Sequence, residues 1–342
     1  MSFKNIRRIP SPEEMMDMIP LDQHLMKIKE ERDEEIKKIF RGESDKFVVI
    51  IGPCSADDED SVCDYVNRLA KVNEEVKDKL FIVPRIYTNK PRTTGEGYKG
   101  MLHQPDPEKG PNIFEGLKAI RRLFIRAIKE THLTPADEML YPCNHIYCGD
   151  LLTYVAVGAR SVENQQHRLT ASGVDVPVGM KNPTSGDLSI MFNAIKAANL
   201  KHDFIYKDNE VSTSGNPYAH VILRGAVNRY GNNIPNYHYE DLIKTIKLYE
   251  EGSYINPAII VDTNHSNSGK KYAEQPRIVR EVLESRKYNS QVEKMVKGFM
   301  IESYIEPGCQ KIDDHIYGKS ITDPCLGWDE TERLLHYIAE NI

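Results

Sequence analysis

No apolar run in this chain approaches the ~18 residues that would cross a bilayer, so a helical membrane span is excluded. The opening residues Met1-Ser2-Phe3-Lys4-Asn5 also lack the apolar segment of a secretory signal. Six cysteines, at positions 54, 63, 143, 148, 309 and 325, form neither a CxxC pair nor a dense framework. That usage fits a reducing compartment, and the sequence reads as cytoplasmic. There is no excess of positive charge: the formal net charge is -6 and the pI about 6.0. Broad attraction to nucleic acid or an anionic membrane is therefore not expected, and any anion site must be a local cluster.

With 40% hydrophobic and 28% charged residues, the 342-residue chain can build a sizeable core. Residues 1 to about 20 hold Pro10, Pro12 and Pro20 with little periodicity and read as an arm, ordered only if it docks. Asp22 can then cap a helix whose stripe is Leu25, Ile28, Ile36, Ile39 and Phe40 and which Gly42 ends. We divide the chain into this arm and helix, 1–46, and a main domain, 47–342.

The second part opens on Phe47-Val48-Val49-Ile50-Ile51, a run suited to a strand buried on both faces, and stops at Gly52-Pro53. Seven more short apolar runs follow: 80–83, 138–141, 155–160, 176–181, 220–224, 258–262 and 298–302. Helix-length segments separate most of them, including 57–73, a helix opened by Asn112 and Glu115 as a capping box, 188–198, 239–250 and 277–286. Eight alternations predict a single (β/α)8 barrel of the α/β class, with an open doubly wound sheet as the runner-up. The segment 203–217 reads as an inserted small hairpin, and 327–342 as a closing helix.

Polar residues gather where these runs end. Cys54, Arg85, Arg160, Lys181, Arg224, His265 and Glu302 all fall at or just beyond a carboxyl end, and in a barrel they would face one mouth. Cys54, His265 and Glu302, with Asp323, offer a thiolate, an imidazole and carboxylates. That mixture suits one divalent ion among Mn²⁺, Fe²⁺, Co²⁺ and Zn²⁺ rather than Mg²⁺ or Ca²⁺. The cations Arg85, Lys90, Arg92, Arg160, Lys181 and Arg224 would repel one another unless a ligand with more than one phosphate compensated them. A small phosphorylated metabolite beside a metal is the substrate class this implies.

The same residues lie in stretches that resemble the microbial type I 3-deoxy-arabino-heptulosonate 7-phosphate (DAHP) synthases. They are Ile51-Gly52-Pro53-Cys54-Ser55, Lys90-Pro91-Arg92-Thr93-Thr94, Gly158-Ala159-Arg160, Gly179-Met180-Lys181-Asn182 and Ile222-Leu223-Arg224-Gly225. The likeness continues through Asp262-Thr263-Asn264-His265-Ser266-Asn267, Ile301-Glu302-Ser303 and Tyr317-Gly318-Lys319-Ser320-Ile321-Thr322-Asp323. It implies condensation of phosphoenolpyruvate with erythrose 4-phosphate at the head of the shikimate pathway, on a homo-oligomer, dimer or tetramer. By the same resemblance Cys54, His265, Glu302 and Asp323 are metal ligands, and Cys54, His265 and Lys90 are catalytic. Arg85, Lys90, Arg160, Lys181 and Arg224 surround phosphoenolpyruvate, and Lys90, Pro91, Arg92 and Thr93 hold the aldose phosphate.

Two rivals remain in view: a sister synthase acting on arabinose 5-phosphate, against which the Lys-Pro-Arg-Thr motif argues, and a non-catalytic metabolite-sensing barrel. The segment Tyr141-Pro142-Cys143-Asn144-His145-Ile146-Tyr147, with Asp175 and Tyr206, departs from the effector pocket of feedback-inhibited members, which predicts weak or altered inhibition by phenylalanine or tyrosine. Cys325, two residues beyond Asp323, is expected near Cys54, where oxidation could join the two thiols.

Overall fold

A computed structural model describes residues 2–342. Its centre is eight parallel strands: β1 (Phe47–Gly52), β2 (Leu80–Pro84), β3 (Ala136–Glu138), β4 (Tyr154–Val157), β5 (Val178–Lys181), β6 (His220–Leu223), β7 (Ile259–Asp262) and β8 (Val296–Glu302). They pair in the order β2-β1-β8-β7-β6-β5-β4-β3. A bridge between Arg85 and Ala136 joins the two ends of that order, so the sheet rolls into the expected barrel. In β1 the register runs from Val48 opposite Gly298 to Gly52 opposite Glu302, which brings the ends of β1 and β8 level at one mouth.

Two apolar cores hold this wall. Inside the barrel Val48, Ile50, Val83, Ile222, Ile260 and Met300 stack, with Ile36, Ile39 and Phe40 of the helix Gln23–Arg41 packed into the same cluster. That helix begins at Asp22, whose side chain accepts the Leu25 N–H at 2.9 Å, and ends at left-handed Gly42, as its sequence predicts. Phe40 reaches His220 on β6 with ring centroids 4.4 Å apart. The outer core lies between strands and surrounding helices, such as Ile113–Thr131, with Leu117, Ile120, Leu123 and Phe124 buried. No helix among the described residues is long and apolar enough to cross a membrane.

Three sequence expectations shift. The run 138–141 is not a strand: β3 ends at Glu138, the Leu140 N–H turns back to the Glu138 carbonyl at 2.8 Å, and Pro142 opens the short helix Pro142–His145. The run 155–160 likewise ends early, at Val157, because Ser161 and Val162 both donate to the Gly158 carbonyl and curl the chain. The arm is more ordered than its prolines suggest, since Pro12–Met18 is a helix with a complete Ser11–Glu14 capping box. Met15 is fully buried, and the Tyr147 hydroxyl donates to the Pro10 carbonyl at 2.9 Å. The inserted hairpin is present as Asp203–Tyr206 against Asn209–Ser212, turned through Lys207 and Asp208 at φ 49° and 60°.

Candidate active site

Each strand end delivers one group to the mouth. Cys54 follows the Gly52-Pro53 stop of β1, Arg85 follows β2, Lys181 closes β5, Arg224 follows β6 and Glu302 closes β8. His265 stands three residues past β7 in the left-handed region, φ 50°, a conformation that costs a non-glycine residue about 1 kcal/mol. Two backbone bonds hold it there, Lys270 N–H to the His265 carbonyl at 2.8 Å and Ser266 N–H to the Arg224 carbonyl at 3.2 Å. Asp323 comes from the loop after β8. Leu326 N–H bonds the Glu302 carbonyl at 3.0 Å, and the Ser55 and Thr322 hydroxyls meet at 2.9 Å, folding that loop back over the barrel.

The result is a cavity of about 150 Å³, a size for a small metabolite rather than a polymer. Cys54, Arg85, Lys90, Pro91, Arg92, Arg160, Lys181, Arg224, His265 and Asp323 all line it. Thr93 does not and is exposed. Glu302 lies just behind the lining, 1% exposed.

Cys54, Glu302 and Asp323 form the tightest ligand group, each offering an atom within 4.8 Å of the others. His265 borders this group without joining it, its Nε2 being 3.8 Å from Glu302 Oε1. The donor set fits a borderline divalent ion: Glu302 is oriented by Arg85 Nη2 at 3.0 Å and Asn264 Nδ2 at 2.6 Å, and Cys54 lies 3.5 Å from Asp323. Burial, then Glu302, pushes the Cys54 thiol up, so a bound cation is what would draw out the thiolate.

Three of the six cations have carboxylates behind them. Arg85 pairs with Glu302, Lys181 with Asp262 at 3.1 Å, and Lys90 with Asp323 at 2.8 Å while also donating to Cys54 Sγ at 2.6 Å. Burial works against the Lys90 ammonium, but Cys54, Asp323 and Glu302 outweigh it and hold the group charged. Burial likewise works to raise Asp262; His265, whose Nδ1 is 2.9 Å away, and Lys181 reverse it and keep that carboxyl below the usual range. The His265–Asp262 approach lacks the alignment of a hydrogen bond. Arg92, Arg160 and Arg224 have no carboxylate partner among the described residues. Burial, with Arg160 adding like-charge repulsion against the pull of Asp262, lowers Arg224, and an incoming anion would relieve that strain. Tyr87 forms a shared floor, its ring 3.7 Å from the Arg85 guanidinium and 5.8 Å from Lys181 Nζ.

Several functional groups escaped the sequence reading. Glu138 lines the cavity with no hydrogen-bond partner for its carboxylate, pressed so close to Gly158 that a Cβ there would lie 2.4 Å from its Oε1. Lys270 lines it too, 3.7 Å from Asp323. Asp262 and Asn264 stand one layer back. For Asp262, an acid closing an apolar run was the available signal; Glu138 follows Asp137 in a mixed stretch that carried none.

A parallel (β/α)8 barrel with a mixed thiol, imidazole and carboxylate group beside an arginine-rich mouth defines an enzyme for small phosphorylated substrates. Residues 24–336 match the DAHP synthetase I family, and the chain belongs to that family. It is 33% identical to a phospho-2-dehydro-3-deoxyheptonate aldolase of Haemophilus influenzae over 99% of this chain and 93% of that one. A Phe-sensitive form from Escherichia coli is 34% identical over 99% and 96%. A Trp-sensitive form from Enterobacter agglomerans is 38% identical over 89% and 86%. The solved phospho-2-dehydro-3-deoxyheptonate aldolase of Francisella tularensis superposes with a TM-score of 0.92 at 31% identity, covering 100% of this chain and 98% of that one. The chain is accordingly a transferase of the aromatic biosynthetic route, a DAHP synthase.

Proposed function

We propose that this enzyme joins phosphoenolpyruvate to erythrose 4-phosphate and water, giving 3-deoxy-arabino-heptulosonate 7-phosphate and phosphate, through the residues assigned below. The observation that carries the reading is one cavity holding both a soft–hard ligand group and cations without carboxylate partners. Arg85, Arg160 and Arg224 bind phosphoenolpyruvate through bidentate forks and Lys90 and Lys181 through point charges. Lys90, Pro91 and Arg92 hold the aldose phosphate, with Thr93 at the rim. Holding both in line turns a bimolecular carbon–carbon bond formation into a local one.

Cys54, His265, Glu302 and Asp323 would hold one divalent ion, Mn²⁺, Fe²⁺, Co²⁺ or Zn²⁺. When bound, that ion supplies Lewis acidity toward the aldehyde oxygen. C3 of phosphoenolpyruvate attacks the aldehyde carbon, and the Lys90 ammonium gives its proton to the oxygen that becomes the alkoxide. Positive charge develops at C2, where Glu138, free of other partners, orients the attacking water. Phosphate then leaves by cleavage of its bond to C2. Free thiols at all six cysteines support a cytoplasmic site of action. Phe3 and Ile6, 90% and 87% exposed on the arm, support a homo-oligomer.

The test is phosphate release by the chelated protein, resupplied in turn with Mn²⁺, Fe²⁺, Co²⁺, Zn²⁺ and Mg²⁺. Release should require both substrates and return with the first four; no release with any metal overturns the reading. Lys90→Met should cut turnover by about 10²–10⁴ with a much smaller change in metal affinity, and near-normal turnover would remove the proton role.

A further inference from the structure

The joint between β2 and β3 is the thinnest in the barrel wall. Every other neighbouring pair of barrel strands shares at least three residues in parallel register. Between β2 and β3 there is one bridge, Arg85 opposite Ala136, with the Ile86 N–H donating to the Ala136 carbonyl at 3.0 Å. This seam lies directly beneath the catalytic mouth. Just beyond it the chain leaves the wall to carry Lys90, Pro91 and Arg92 to the cavity, which Glu138 also lines.

At Thr88 no backbone rung continues the seam. Its N–H donates instead to Asp137 Oδ1 at 2.9 Å and its hydroxyl to Asp137 Oδ2 at 2.5 Å. Asp137 Oδ1 also accepts the Glu138 N–H at 2.7 Å. One carboxylate therefore ties the segment that launches Lys90 to the residue that aims Glu138. The opposite side of Thr88 is equally fixed. Its carbonyl accepts the Leu102 N–H at 3.2 Å, and Lys90 N–H donates to the Lys99 carbonyl at 3.0 Å. Gly100, at φ +97°, allows this close approach, since a Cβ there would fall 2.3 Å from the Thr88 carbonyl oxygen. Thr88 and Asp137 are 1% and 7% exposed, so water offers little substitute for these bonds.

We propose that Asp137 is a positioning residue, its side chain replacing the missing β2–β3 rungs and so setting where Lys90 and Arg92 stand relative to Glu138. It does not line the catalytic cavity and acts only through those neighbours. Which substrate each side holds rests on the function proposed above. A displacement near 1 Å can cost a reaction about 10²-fold.

The experiment compares Asp137→Ala, Asp137→Asn and Thr88→Val in the full-length, metal-loaded enzyme, varying each substrate in turn. Asparagine can still accept both N–H groups through Oδ1 and can donate from Nδ2 to the Thr88 hydroxyl. Asp137→Ala should lower kcat/KM for erythrose 4-phosphate by about 10²-fold, raising that KM more than the KM for phosphoenolpyruvate. Asp137→Asn should return close to wild type, and Thr88→Val should shift the same KM part of the way even if the alanine variant fails to fold. Equal changes in both KM values, or an asparagine variant as impaired as alanine, overturn the proposal. Amide exchange over residues 86–92 gives an answer free of catalysis: it should quicken in the alanine variant and not in the asparagine variant, and unchanged exchange refutes the clasp. Wild-type turnover of the two substrates tests the functional reading separately.

Discussion

Arg121 offers the sharpest stability test, because one fully buried side chain joins three parts of the chain. Its Nε and Nη2 donate to the Ile19 carbonyl at the end of the arm, at 3.2 and 3.0 Å. Its Nη1 donates to the Tyr147 carbonyl at 2.7 Å, and its fork grips Asp150 at 2.7 and 2.9 Å. Arg121→Met keeps much of the volume and removes every donor. Breaking a buried ion pair commonly costs about 3–5 kcal/mol. Asp150 is 31% exposed and can partly rehydrate, which lowers the expectation to about 2–4 kcal/mol. Urea denaturation should show that loss, and hydrogen exchange should quicken across the arm helix Pro12–Met18. Arg121→Lys should fall between, since an ammonium cannot reproduce the fork. A loss below about 1 kcal/mol with unchanged arm exchange would refute the reasoning.

Asp137 also predicts a pH effect. Burial, opposed by the Thr88 and Glu138 donors, pushes its carboxyl up to about 7. The folded protein then keeps this proton to higher pH than the unfolded chain, so the group takes stability away as pH rises from about 4 to about 7. Asp137→Asn should gain about 3 kcal/mol relative to wild type between about pH 5 and pH 8; a constant difference in denaturation midpoints would contradict the assignment. Tyr206, half-buried on the inserted hairpin, donates its hydroxyl to the Pro142 carbonyl at 3.0 Å, tying the hairpin to the segment 141–147 that the family resemblance assigns to the effector pocket. Saturating phenylalanine or tyrosine should leave the steady-state rate nearly unchanged, and strong inhibition would overturn this. The Cys325 thiol is buried against the Cys54 backbone. Hydrogen peroxide should inactivate wild type by a Cys54–Cys325 disulfide, with loss of metal binding, and should act more slowly on Cys325→Ala; equal rates would exclude the pairing.

The barrel was legible because its strands are buried on both faces, which writes most of them as an apolar run whose end marks the mouth. Cys54, Arg85, Lys181, Arg224 and Glu302 could be placed from that punctuation alone. Asp323 could not: it arrives on a loop folded back by the Leu326–Glu302 and Ser55–Thr322 bonds, contacts with no local pattern, and the sequence offered it only as a carboxylate that would complete a ligand set. The third strand misled because its residues are mixed. Apolar Met139 and Leu140 belong to the turn, whereas the buried strand residues include Asp137 and Glu138, whose polarity argues against a strand until their partners are known. Thr88 supplies the partner for Asp137 from 49 positions away, and the cations of the mouth supply the setting for Glu138. A carboxylate that serves geometry is therefore hidden by the burial that makes it effective. Sequence periodicity finds the wall of such an enzyme readily, but the acids that hold its mouth in register emerge only when both sides of a seam are seen together.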